Sequence, residues 1–87
     1  MSINPVSHEV RQFIVSHFPQ ARTRALSDDD PLLENGIIDS LGVIDIVSFI
    51  EAEFRVTVAD EELVPDHFQN IGRIAAYIEN KQRDTLV

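Results

Sequence analysis

The sequence predicts an all-α fold, a small four-helix bundle of three long helices and one short one. Two observations carry this. Apolar residues recur at helical spacing in three separated stretches, and the β-prone run Arg55-Val56-Thr57-Val58 has nothing to pair with, so it reads as an extended link. The 87 residues leave room for one modest core and no interdomain cleft, so a single domain over 1–87 is expected, with its core at about 5–82.

In the first stretch Val6, Val10, Phe13 and Ile14 share one helical face, which specifies a helix from about residue 5 to 18. Asn4 suits its N-cap, Pro5 sits where a first-turn proline is tolerated, and Pro19 stops it. Residues 20–38 lack sustained periodicity. A connection this long in so small a domain tends to be functional, and Leu26, Leu32, Leu33, Ile37 and Ile38 are expected to pin it to the core. From Leu41 to Phe54, nine of fourteen residues are apolar, the pattern of a helix central to a bundle, with Gly42, Asp45 and Ser48 as a narrow small or polar stripe. Asp60-Glu61-Glu62-Leu63 reads as a short helical turn, acidic at the end where the helix dipole favours it and limited by Pro65. Ile71, Ile74, Ala75 and Ile78 define a last helix over about 71–82, capped by Asn70, with fraying expected beyond Gln82.

Apolar residues at 44% and charged ones at 25% are the balance of a soluble globular domain. A net charge of −8 argues against nucleic acid or an anionic membrane as a partner, since both require a basic surface. The absence of Cys excludes disulfides, thiolate metal sites and Cys nucleophiles. No apolar run approaches a bilayer span, and Met1-Ser2-Ile3-Asn4-Pro5 lacks signal-peptide character, so a cytoplasmic monomer is expected. Of the 15 acidic residues, 12 fall between Asp28 and Asp66, opposed there by Arg55 alone. Such a one-sign surface steers partners of opposite sign, or simply solubilises.

The sharpest local feature is Gly36-Ile37-Ile38-Asp39-Ser40-Leu41. Asp39 can cap the helix that follows, which places Ser40 in its first turn, where free backbone N–H groups and the dipole favour an anion. A phosphate esterified to Ser40 would sit well there. Taken alone, an Asp-Ser pair before an apolar helix reads as an ordinary cap and its neighbour; the context decides otherwise.

The longer run Leu33-Glu34-Asn35-Gly36-Ile37-Ile38-Asp39-Ser40-Leu41, followed by Phe49-Ile50-Glu51-Ala52-Glu53-Phe54, resembles the acyl carrier protein family. Asp60-Glu61-Glu62 and the Phe68 to Ile78 segment are similar to that family's third and fourth helices. The resemblance implies that Ser40 is the attachment point for 4′-phosphopantetheine, transferred from coenzyme A by a phosphopantetheinyl transferase. The arm's thiol would carry acyl or aminoacyl groups as thioesters in fatty-acid, polyketide or related biosynthesis, which imports the sulfur that the chain lacks. No catalysis of its own and no metal are implied; the mechanism is tethering. Partner contacts carried over are Asp39, Leu41, Asp45, Glu51 and Glu53, extended by Asp60 and Glu61, facing basic patches on loading ligases, synthases and transferases. Gly42 stands where fatty-acid carriers commonly have an acidic residue and Ser48 where they have a bulkier apolar one, which favours a specialised freestanding carrier.

Three other readings of these residues differ in how well the sequence supports them. A hydrolase built on Ser40 and His67 lacks the Gly-x-Ser-x-Gly elbow and the sheet it needs. Calcium binding at Asp28-Asp29-Asp30 lacks the alternating ligands and glycine of an EF-hand loop. An unmodified docking or regulatory domain with the carrier fold is the remaining alternative.

Overall fold

The three periodic stretches form the three long helices of a computed structural model, which describes residues 5–22 and 26–86. Helix α1 runs over Pro5–His17, the single turn α2 over Pro19–Arg22, α3 over Ser40–Phe54 and α4 over Ile71–Leu86. Two 3₁₀ turns, Asp60–Glu62 and Pro65–Phe68, fill the connection between α3 and α4. No strand occurs among the described residues; Arg55 ends α3 in a left-handed conformation (φ 56°), and 56–59 link it to the next turn. None of the described helices is long and apolar enough to cross a membrane. The Asn4 cap expected for α1 lies outside the described residues.

Helix α4 packs along α1 and buries Ile71, Ile74, Ala75, Tyr77 and Ile78. Val10 and Ile14 of α1, Ile46 and Ile50 of α3, and Phe68 complete the centre. The Phe13 and Phe49 rings stack at 4.3 Å and lock α1 to α3. As expected, Leu26, Leu32, Ile37 and Ile38 are buried and anchor the long loop, while Leu33 is half-buried.

The loop is stitched down as well as packed. Leu32 N–H donates to the Gln69 carbonyl at 2.8 Å, and Gly72 N–H to the Asp28 carbonyl at 3.1 Å. The Arg11 guanidinium reaches from α1 to the Leu26 carbonyl and the Asp28 carboxylate. Gly36 turns the chain at φ 71°, a left-handed conformation suited to glycine, just before the buried pair Ile37-Ile38.

Three expectations are corrected and one is made more specific. Pro19 ends α1 but also starts α2, because a proline suits a first helical position. The short helical turn expected at 60–63 is present as a single 3₁₀ turn over Asp60–Glu62, cut off by the non-helical residues ahead of Pro65. Helix α4 continues past Gln82 to Leu86. Finally, α3 is not central: Leu41 and Ile44 are 73% and 57% exposed, because its apolar circumference is wider than the face that α1 and α4 cover.

Candidate functional site

The junction between the stitched loop and α3 is built by Asp39. Its backbone is extended (φ −121°, ψ −171°), and its Oδ1 accepts the Gly42 N–H at 2.8 Å. This is the expected N-cap, and it makes Ser40 the first residue of α3. Ser40 is exposed; the Asp39 carboxylate beside it is engaged as the cap, and the first turn of α3 itself carries no acidic residue. Gly42, read from sequence as part of a polar or small stripe, is instead buried. A Cβ there would come within 2.8 Å of Phe18 Cε1 and 3.3 Å of Ile38 Cβ. The helix start is therefore seated directly on the end of α1 and on the loop.

Beside Ser40 opens an apolar groove of about 240 Å³, lined by Leu33, Ser40, Val43, Ile44, Leu63, Val64, Pro65 and Phe68. The loop and the first two turns of α3 form one wall, and the stretch after the first 3₁₀ turn forms the other. Leu41, Ile44, Leu63 and Val64 are the large hydrophobics that the described surface exposes. Sequence reasoning singled out Leu41 and missed the other three as surface. The available signal was Leu63-Val64, an apolar pair outside any periodic run.

The acidic residues expected to meet partners divide into two groups. Asp39 is engaged as the cap. Asp45 Oδ2 lies 3.1 Å from His17 Nε2, and Glu51 Oε2 accepts the Val58 N–H at 3.0 Å. Glu53, Asp60 and Glu61 are exposed. Within the acidic triplet, Asp28 meets Arg11, and Asp30 accepts the Ser27 N–H at 2.9 Å, so two of its three carboxylates hold the loop. No cluster of three or more metal-ligating side chains occurs among the described residues. His67 faces the Tyr77 ring at 4.7 Å and does not line the groove with Ser40, so no Ser–His pair forms there.

Among the described residues two titratable groups are displaced, one in the first 3₁₀ turn and one on α4. Glu62 is held below the usual carboxylate value first by the Ala59 N–H, 3.0 Å away, and then by Lys81 Nζ at 2.9 Å. Burial, and then the neighbouring Glu62 carboxylate, push the Tyr77 hydroxyl up to about 12. That hydroxyl is enclosed and stops short of a well-formed hydrogen bond.

Chemically, the arrangement offers an accessible hydroxyl at a helix N-terminus, an anion-favouring dipole and an adjoining apolar trough. Residues 14–78 match the family model described as "Phosphopantetheine attachment site". The chain is 27% identical over 66 residues to the "Probable acyl carrier protein PigG" of Serratia sp. (strain ATCC 39006), covering 76% of each. It is 30% identical over 82 residues to an "Acyl carrier protein" of Akkermansia muciniphila, covering 94% of this chain and 99% of that one. Among solved structures, a chain of "Crystal structure of FAD-dependent dehydrogenase" superposes with a TM-score of 0.71 at 32% identity, over 79% of this chain and 97% of that one.

Proposed function

The chain belongs to the phosphopantetheine-attachment family, that of the acyl carrier proteins, and from this premise we propose that Ser40 is the residue that bears the arm. The protein carries acyl intermediates in biosynthesis on 4′-phosphopantetheine, and that group supplies the thiol that holds them. The observation that carries the assignment to Ser40 is its exposed position as the first residue of α3 behind a formed Asp39 cap.

In this reading the Ser40 oxygen, its proton passing to a base of a phosphopantetheinyl transferase, attacks the pantetheine-side phosphorus of the coenzyme A pyrophosphate. The P–O bond to the nucleotide breaks, 3′,5′-ADP leaves, and phosphopantetheine stays on Ser40 as a phosphodiester. The α3 dipole favours the phosphodiester anion. The chain catalyses nothing itself; it confines an activated group and presents it, acting through effective concentration. Cytoplasmic residence goes with this reading, since the transferase draws on coenzyme A. Leu41 and the acids Asp39, Asp45, Glu51, Glu53, Asp60 and Glu61 are the residues we assign to partner contact, with each exposed pair worth of order 0–1 kcal/mol.

The departures at Gly42 and Ser48 support a specialised carrier rather than one of general fatty-acid synthesis. The solved structure whose description names an FAD-dependent dehydrogenase supports counting a flavin-dependent oxidoreductase among the enzymes that meet the cargo.

Co-expression with a broad-specificity phosphopantetheinyl transferase, followed by intact-mass measurement, tests the assignment. One phosphopantetheine is expected on the wild type and none on Ser40→Ala. An unmodified wild type beside a carrier control that is modified overturns the carrier reading in favour of a docking domain. A modified Ser40→Ala variant moves the attachment elsewhere.

A further inference from the structure

The groove's second wall is a weakly built piece of chain. Two 3₁₀ turns replace a helix there, and short 3₁₀ segments often mark hinges because their hydrogen-bond geometry is poor. Their backbone bonds are local: Glu62 N–H to the Ala59 carbonyl, Leu63 N–H to Asp60, and His67 N–H to Val64. Phe68, 1% exposed, fixes the far end of the wall in the core. At the near end Leu63 and Val64 stand out at 41% and 39% exposure. What ties that end to α4 is Glu62. Its Oε1 receives both the Ala59 N–H and Lys81 Nζ, and both partners of the ion pair are about three-quarters buried, with side-chain exposures of 24% and 27%.

Tyr77 sits one helical turn before Lys81 on α4 and touches both 3₁₀ turns. Its ring packs on His67 and Phe68 of the second, and its buried hydroxyl lies beside the Glu62 carboxylate of the first. A buried donor with no well-formed partner calls for an explanation. A carboxylate next to it that can shift and accept a hydrogen bond from it supplies one.

We propose that Glu62, clasped by Lys81 and poised against the Tyr77 hydroxyl, is a latch on the groove wall beside Ser40. Release of the latch lets residues 59–64 move between the Val58 N–H tie to Glu51 and the Phe68 anchor, and widens the groove. This regulates the site assigned above, but the latch itself is tested on unmodified protein, so its outcome is independent of whether Ser40 bears the arm.

The experiment is hydrogen exchange of wild type, Glu62→Gln, Lys81→Met and the double variant, with urea unfolding to report global stability. Glu62→Gln keeps an acceptor for the Ala59 N–H and removes the charge. The amides of Glu62 and Leu63 should exchange about tenfold faster in each single variant, the scale of one lost charge-assisted hydrogen bond. The double variant should add nothing further, because either change opens the same latch. Val43 and Ile74 amides should keep wild-type rates. The neutral dye N-phenyl-1-naphthylamine should fluoresce more strongly with the variants than with wild type. Unchanged exchange at 62 and 63, equal acceleration throughout the chain, additive single effects, or loosening without added dye binding would each overturn the proposal.

Discussion

At the scale of single residues, the site depends on how closely α3 can start against its surroundings. Gly42 decides this. An alanine there gains about 1 kcal/mol of helix propensity, yet its Cβ meets Phe18 at 2.8 Å and Ile38 Cβ at 3.3 Å. Phe18 is half-buried and its ring edge can yield, but Ile38 is 2% exposed and held in the loop. Overpacking of this kind costs about 1–3 kcal/mol, so Gly42→Ala should destabilise the chain by about 1 kcal/mol net. Urea unfolding would show a lower midpoint with an unchanged slope; a higher midpoint would mean that the close seating is not required. The same contact accounts for the departure at this position. An acidic side chain would be driven into Phe18, so the glycine keeps the first turn of α3 seated at the cost of a possible partner contact.

At the scale of elements, α4 and the 3₁₀ turns share two displaced protons, and these make stability depend on pH at both ends. Glu62 titrates below its ordinary 4.5 when folded, so its contribution is complete above that value and disappears as pH falls through the lower folded one. Tyr77 titrates at about 12 when folded against an ordinary 10, so its contribution is complete below about 10 and fades as pH climbs towards 12. Urea midpoints measured across pH should therefore fall less steeply on the acid side in Glu62→Gln and less steeply on the alkaline side in Tyr77→Phe. Parallel curves for variant and wild type would remove these groups from the account. None of this was legible in the sequence, where Glu62, Tyr77 and Lys81 belong to two separate segments. What was legible follows from local rules. The α1 and α4 faces came from apolar spacing, the Asp39 and Asn70 caps from residue type, and the buried loop anchors from isolated aliphatics; the Asn70 cap is realised by its Oδ1 accepting the Arg73 N–H at 2.7 Å. The placement of α3 was misread because apolar residues such as Leu41 and Ile44 carry no mark distinguishing core from exposed rim. Only the packing of α1 on α4 fixes which of them is covered.

At the scale of the whole molecule, the charge acts as one field even though many of its sources are locally engaged. Asp28, Asp39, Asp45, Glu51 and Glu62 each hold an intramolecular partner, yet the chain still carries a net −8. Self-repulsion from that excess opposes the compact state, while the same field draws in partners of opposite sign. Salt weakens both, since the screening length is about 10 Å at 0.1 M and about 3 Å at 1 M. Two effects of opposite sense should therefore appear in one titration from about 0.02 to about 0.5 M sodium chloride. The thermal midpoint should rise by a few degrees, on the order of 0.5 kcal/mol for a domain of this size. The rate of Ser40 modification by a transferase with a basic docking face should fall several-fold, because the loss is in electrostatic steering. The comparison also divides the docking surface. If modification proves indifferent to salt while the midpoint still rises, recognition rests on the apolar rim of Leu41, Ile44, Leu63 and Val64, and the acids serve mainly to cap α3, brace it against α1 and secure the link that follows it. If the rate falls as expected, the exposed Glu53, Asp60 and Glu61 become the first positions to neutralise, because changing them disturbs none of the bonds that hold α3 and the loop in place.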